Sequence, residues 1–137
     1  EPNDVRRDFL QSLGGLDARA SLDQGEETYP IVVDAVGYEA TRADASRIVA
    51  PGGVIAHVGL GSASGGLDIR RMTLQEITFI GTYAYTSDDF LETAHAMFDG
   101  KLGALDWTEV RDLSDGPQAF ADIRAGRVPA PKIILKP

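Results

Sequence analysis

The sequence predicts an α/β fold built on a parallel β-sheet. Two stretches carry the prediction. Ile31-Val32-Val33-Asp34-Ala35-Val36 and Val54-Ile55-Ala56-His57-Val58-Gly59 are apolar, β-branched runs with little alternation, as expected of strands buried on both faces. Between them, residues 38–49 have helical spacing, with Ala40, Ala45, Ile48 and Val49 on the inner side. Strand, helix and strand within about 30 residues make a βαβ unit, whose crossover is right-handed.

The remaining elements follow in order. Val5, Phe9, Leu10 and Leu13 share one helical face, with Pro2 and Asn3 at its entry and Gly14-Gly15 as its stop. A short extended stretch is expected at 18–21 and a polar loop at 22–28. Pro51-Gly52-Gly53 is expected to end the second helix. Gly61 to Gly66 is a loop of small residues, 67–69 a short strand, 72–76 a helical turn, and Ile77-Thr78-Phe79-Ile80-Gly81 a third main strand. Ser87 or Asp88 caps a helix with Phe90, Leu91, Ala94, Met97 and Phe98 inside, and Gly100 at its end. A strand at 107–110 follows. Ser114 then caps a helix with Pro117 in its first turn, Phe120 and Ile123 inside and Gly126 after it. Lys132-Ile133-Ile134-Leu135 is the final strand. The pattern changes character after about Thr86.

Composition narrows the function. No apolar run approaches the length of a membrane span, and the first residues lack the basic start and apolar core of a signal peptide. With 13 Lys and Arg against 21 Asp and Glu, the net charge of -8 argues against binding nucleic acid or anionic lipid. Cysteine is absent, so these residues hold neither a disulfide nor a Cys-ligated zinc, which fits a cytoplasmic protein.

Few residues suggest chemistry. Two strand candidates end alike, at Val36-Gly37 and Val58-Gly59, and doubly wound sheets bind ligands outside the carboxyl ends of their strands. Glycine there admits a flat cofactor, but ordinary strand-to-loop glycine explains the spacing as well. Asp34, inside a buried run, needs a hydrogen-bond partner; a site role and a loop-tethering role are both open. His57 and His95 form no i, i+4 ligand pair and read as structural or surface groups. Asp88, Asp89 and Asp112 read as helix-start and loop charges. Gly59-Leu60-Gly61 begins a Gly-x-Gly-x-x-Gly pattern, but Ser64 replaces its third glycine and a loop follows, so it is not the dinucleotide fingerprint. No catalytic or metal-ligating residue is assigned.

Taken in order, these segments resemble the medium-chain dehydrogenase/reductase family, in its zinc-containing alcohol and polyol dehydrogenase branch. The carriers are Val32-Val33-Asp34-Ala35-Val36-Gly37, Ala50-Pro51-Gly52-Gly53-Val54-Ile55-Ala56-His57-Val58-Gly59 and Leu74-Gln75-Glu76-Ile77-Thr78-Phe79-Ile80-Gly81-Thr82-Tyr83. Ala119-Phe120, Ala125-Gly126 and Pro131-Lys132-Ile133-Ile134-Leu135-Lys136-Pro137 complete the series. The resemblance implies the C-terminal part of a doubly wound Rossmann sheet at 1–86 and C-terminal elements of a catalytic domain at 87–137. It places Glu1 at the acidic position that accepts from the adenosine ribose, favouring NAD over NADP, and Arg6 near the adenosine. Val36 and Gly37 would line the adenine and ribose crevice. Val58, Gly59 and Leu60 would meet the nicotinamide, Ala84 would lie in a hinge, and Lys132 would reach the diphosphate.

The departures matter as much. The family's first domain carries its zinc ligands, and its glycine fingerprint follows the first Rossmann strand; neither is present here. The loop between Ser21 and Tyr29 is shorter than in the family, so the helix found there is expected to be lost. The first Rossmann strand is the centre of the sheet, so an inner edge would lie open. The expectation is therefore a part of a longer polypeptide, inactive alone, with zinc only in the absent N-terminal part. The whole enzyme would oxidise a secondary alcohol or polyol, as a homodimer or homotetramer paired through the strand near 77–80. Two alternatives stand beside it: a zinc-free quinone or enoyl reductase of the same superfamily, and a stand-alone nucleotide-binding or interaction module.

Overall fold

The computed structural model describes residues 1–22 and 27–137, so the centre of the expected 22–28 loop lies outside the described residues. Along the chain the elements are α1 (Asp4–Ser12), β1 (Tyr29–Asp34), α2 (Glu39–Ile48), β2 (Val49–His57), α3 (Ile69–Leu74), β3 (Thr78–Gly81), α4 (Ser87–Phe98), β4 (Thr108–Asp112), α5 (Gly116–Arg124) and β5 (Lys132–Lys136). They form two compact units, one of Glu1–Leu22 with Asp89–Pro137, the other within Asp23–Asp88. The upper division falls close to the change of pattern near Thr86. Residues 1–22 group with the C-terminal elements instead of with the strands, and a hydrogen bond from Asn3 Nδ2 to the Gly126 carbonyl (3.0 Å) helps hold them there.

In the second unit β1, β2 and β3 pair in that order, all parallel. The register aligns Val32, Ile55 and Phe79 in one row and Asp34, His57 and Gly81 in another. The crossover helix α2 packs Ala45 over Val49 and Ile55, and Val32, Ile77 and Phe79 complete this small core. The opposite face of the sheet carries Ile31, Val33 and Ile80, exposed by 67%, 62% and 48%. The expectation of strands buried on both faces is thus corrected: α2, packed on β1 and β2, covers one face only.

Side chains set the element boundaries. β1 stops at Asp34 rather than running to Val36, because the Asp34 carboxylate accepts the Val36 and Gly37 N–H groups and turns the chain out of the sheet. β2 starts directly after α2, so Pro51-Gly52-Gly53 lies inside the strand as an irregularity instead of ending the helix. Gly52 takes a positive φ of 70° there and donates to the Gln75 carbonyl (2.7 Å). Residues 67–69 form no strand, since Asp68 caps α3 by accepting from the Arg71 N–H (2.9 Å). Residues 18–21 form none either. The Ala18 and Arg19 carbonyls accept instead from Gln11 Nε2 (2.8 Å) and the amine of Glu1 (2.9 Å).

In the first unit β4 and β5 pair in parallel, with Val110 opposite Ile134. Ala119, Val128 and Ala130 are its buried apolar residues. Ser114 falls within a 3-10 turn, Leu113–Asp115, and does not cap α5, which begins at Gly116 with Pro117 in its first turn. α4 forms as expected, but its supposed inner side is uncovered: Phe90, Leu91 and Met97 are exposed and Phe98 is 88% exposed. Phe120 and Ile123 of α5 are exposed as well. Helical periodicity identifies an apolar stripe correctly; it does not supply the surface that covers it.

Candidate cofactor site

The carboxyl ends of β1 and β2 are joined by one polar network. Asp34 is buried, and its Oδ1 accepts from the N–H groups of Val36 (3.1 Å) and Gly37 (2.8 Å). Its Oδ2 accepts from the Thr41 hydroxyl (3.1 Å) and lies 3.6 Å from His57 Nε2. Burial pushes the Asp34 carboxyl up. The Gly37 N–H, the Thr41 hydroxyl, the Val36 N–H and the neighbouring His57 outweigh it and hold the group below the usual carboxylate value. The Asp34 carbonyl in turn accepts from the N–H groups of Val58 (2.9 Å) and Gly59 (3.1 Å). One residue therefore organises both turns, and Asp34 takes the loop-tethering role.

The two glycines touch each other. Gly37 has φ 75°, and a Cβ on it would stand 2.2 Å from the Gly59 carbonyl oxygen. A Cβ on Gly59 would stand 2.1 Å from the Val36 carbonyl carbon. Mutual approach of the two turns thus accounts for both glycines. The turns are sewn further by Gly61 N–H donating to the Val36 carbonyl (3.1 Å) and Ser62 N–H to the Gly37 carbonyl (3.0 Å). Val36, Val58 and Leu60 present exposed apolar side chains at this end of the sheet. A hollow of about 500 Å³ beside them is lined by Arg42, His57, Gly59, Leu60, Ser62 and Phe79, among others. The His57 ring lies tilted on Phe79 at 5.3 Å.

Five of the expected site residues, Val36, Gly37, Val58, Gly59 and Leu60, are thereby brought together. Ala84 lies exposed in the segment between β3 and α4. Glu1, Arg6 and Lys132 belong to the other unit. There the Glu1 carboxylate accepts from the Asn3 N–H (3.0 Å) and pairs with Arg6 at 3.5 Å, while Lys132 opens β5 opposite Thr108. Sequence reasoning missed Thr41 and Arg42, which shape the turns from α2. The only signal for Arg42 is a run of Gly and Ser at 61–66, whose backbone polar groups need donors from elsewhere.

Among the described residues, no group of three or more His, Asp or Glu is placed to hold a metal ion. A larger hollow of about 600 Å³ in the first unit is mostly apolar, with Leu10, Leu13, Leu16, Leu102 and Trp107 around Asp106. No helix is long and apolar enough to cross a membrane among the described residues.

Comparison with known proteins agrees with this architecture. The chain is 29% identical over 98 residues to a probable D-xylulose reductase A of Neosartorya fischeri, covering 71% of this chain and 27% of that protein. It is 28% identical, with the same coverage, to the D-xylulose reductase A of Aspergillus oryzae. It thus spans about a quarter of the length of these relatives. Among solved structures, acetophenone reductase from Geotrichum candidum in complex with NAD superposes with a TM-score of 0.78 at 21% identity, covering all of this chain and 40% of that one. The Bacillus subtilis protein yhfP with NAD bound gives 0.72 at 21% identity, covering 99% and 45%. The fold is that of the Rossmann-type C-terminal part of alcohol dehydrogenases. Residues 3–99 match the family model described as zinc-binding dehydrogenase, and the chain belongs to that family, within the medium-chain dehydrogenases/reductases.

Proposed function

We propose that this chain supplies the cofactor-binding part of an NAD-dependent oxidoreductase interconverting a secondary alcohol or polyol and its ketone. The observation that supports it most is the pair of interlocked turns at the carboxyl ends of β1 and β2, where doubly wound sheets bind their ligands. Val36, Val58 and Leu60 offer apolar surface suited to adenine and nicotinamide rings. In this reading Gly37 and Gly59 fix the backbone between those surfaces. Glu1 accepts from ribose hydroxyls and opposes a 2′-phosphate, with Arg6 near the adenosine. Lys132 reaches the diphosphate, and Ala84 lies in a hinge between a cofactor domain at 1–86 and catalytic-domain elements at 87–137. NAD bound there would supply the hydride acceptor.

The chain's own side chains bind and orient; none is assigned a proton or hydride step. Zinc and the catalytic groups are proposed for the complete enzyme, on residues outside these 137. The same reading holds the enzyme to be cytoplasmic and a homodimer or homotetramer through β3, whose Ile80 is exposed.

The test is to assay the longest native polypeptide carrying this sequence with NAD and NADP against secondary alcohols and polyols, following nicotinamide absorbance. Oxidation with at least about tenfold preference for NAD, worth ~1.4 kcal/mol, is the expected result, and Glu1→Gln should shrink that preference. No turnover with any alcohol, or preference for NADP, overturns the reading. Activity surviving complete removal of metal overturns the zinc clause alone.

A further inference from the structure

Arg42 is a buried cation, 6% exposed, and it forms no ion pair among the described residues. Its guanidinium is satisfied by neutral oxygens instead. Nε donates to the Gly65 carbonyl (2.6 Å), and Nη1 to the carbonyls of Gly37 (2.8 Å) and Ser62 (3.1 Å). Nη2 donates to the Ser62 hydroxyl (2.9 Å) and to the Ser64 carbonyl. All five N–H donors of the fork are therefore used. Four of the bonds go to the loop after β2, and the fifth ties that loop to the turn after β1.

Beyond the Gly61 and Ser62 N–H bonds to the first turn, the loop has little else to define its shape. Residues 61–66 are Gly, Ser, Ala, Ser, Gly and Gly, with no side chain large enough to anchor in a core. Gly65 and Gly66 take φ of 85° and 87°, a conformation with many alternatives in an unanchored glycine chain. A lysine has three donors on a flexible stem and cannot reproduce a planar fork spanning four residues.

We propose that Arg42 is the positioning residue of this loop, fixing residues 62–65 and through them the adjoining Leu60-Gly61 segment in the shape met by the nicotinamide half of the cofactor. The proposal rests on the cofactor reading above. Without the fork, residues 62–65 lose four side-chain bonds, and the ordering they then need on ligand binding lowers affinity at the nicotinamide end. The adenosine end, formed by Val36 and the first turn, keeps the Asp34 carboxylate, and Gly59 keeps the Asp34 carbonyl, so the loss falls on the residues beyond Gly59.

The test compares Arg42→Met, Arg42→Lys and Ser62→Ala in the longest native polypeptide carrying this sequence. Two readouts are taken: amide hydrogen exchange, and binding of NADH against ADP-ribose. Arg42→Met and Arg42→Lys should speed exchange at Gly61 and Ser62 by on the order of tenfold, leaving Ile55 and Ala56 unchanged. NADH affinity should fall by on the order of tenfold and ADP-ribose affinity by less than about twofold, with Ser62→Ala between wild type and Arg42→Met. Unchanged loop exchange in Arg42→Met, or equal acceleration at Ile55 and Ala56, overturns the positioning role. Wild-type behaviour of Arg42→Lys overturns the argument from the fork. Equal weakening of NADH and ADP-ribose overturns the assignment to the nicotinamide half. If the unaltered protein binds neither ligand, the cofactor reading fails and the nicotinamide clause with it, while the exchange data still decide the loop.

Discussion

Asp34 and Arg42 are charges of opposite sign doing related work by different means. Asp34 accepts the N–H groups of the first turn; Arg42 donates to the carbonyls of that turn and of the second. A buried charge is tolerable when its hydrogen-bonding capacity is filled, and both satisfy that condition. Replacing Asp34 by Ala leaves the Val36 and Gly37 N–H groups without their acceptor. It should destabilise the chain by about 2–4 kcal/mol near neutral pH in urea unfolding. The pH dependence has a definite sign. The folded carboxyl sits below its ordinary value near ~3.9, so its stabilisation is complete above that value and disappears as pH falls through the lower, folded one. The wild type should lose more stability than Asp34→Ala across that acid window.

At the scale of elements, the contact between the two βα turns is the most demanding feature. Gly37 and Gly52 both have φ near 70°, but a Cβ at Gly52 meets open space whereas one at Gly37 meets the Gly59 backbone. Gly52→Ala should therefore cost only the left-handed penalty of about 1–2 kcal/mol. Gly37→Ala should cost about 4 kcal/mol or more, because two backbone segments must separate; thermal unfolding of the pair measures the difference. The βαβ unit was legible from the sequence because β-branched runs and helical spacing are local properties. Strand ends were not: β1 ends where Asp34 captures amides, and α3 begins where Asp68 does, and both events depend on where a carboxylate points. The site was half legible. Glycine at two strand ends marked the location, but its cause, one turn pressed against another, is a tertiary fact. Arg42 itself gave no signal beyond the Gly and Ser run at 61–66 that needs donors, since an arginine on a helix is ordinarily a solvated one.

At the scale of the molecule, a parallel sheet is normally covered on both faces, and here Ile31, Val33 and Ile80 face outward. An apolar face beside a free strand edge is an association hazard. Replacing Ile31 and Val33 together by Thr should lower light scattering of the isolated chain at high concentration. Because neither side chain is buried, the free energy of unfolding should change little, by about 0.5 kcal/mol or less per site. A large loss of stability would show that this face is packed in solution. The discontinuous unit bears on the order in which the protein is made. The three-stranded unit closes on near neighbours and is complete once residue 88 has been synthesised. α1 has nine residues, too few to be stable alone in water, and its capping residue Asn3 bonds to a carbonyl 123 positions later. α1 is thus synthesised long before the elements it settles against, and the interval exposes it to chaperones and proteases until they arrive.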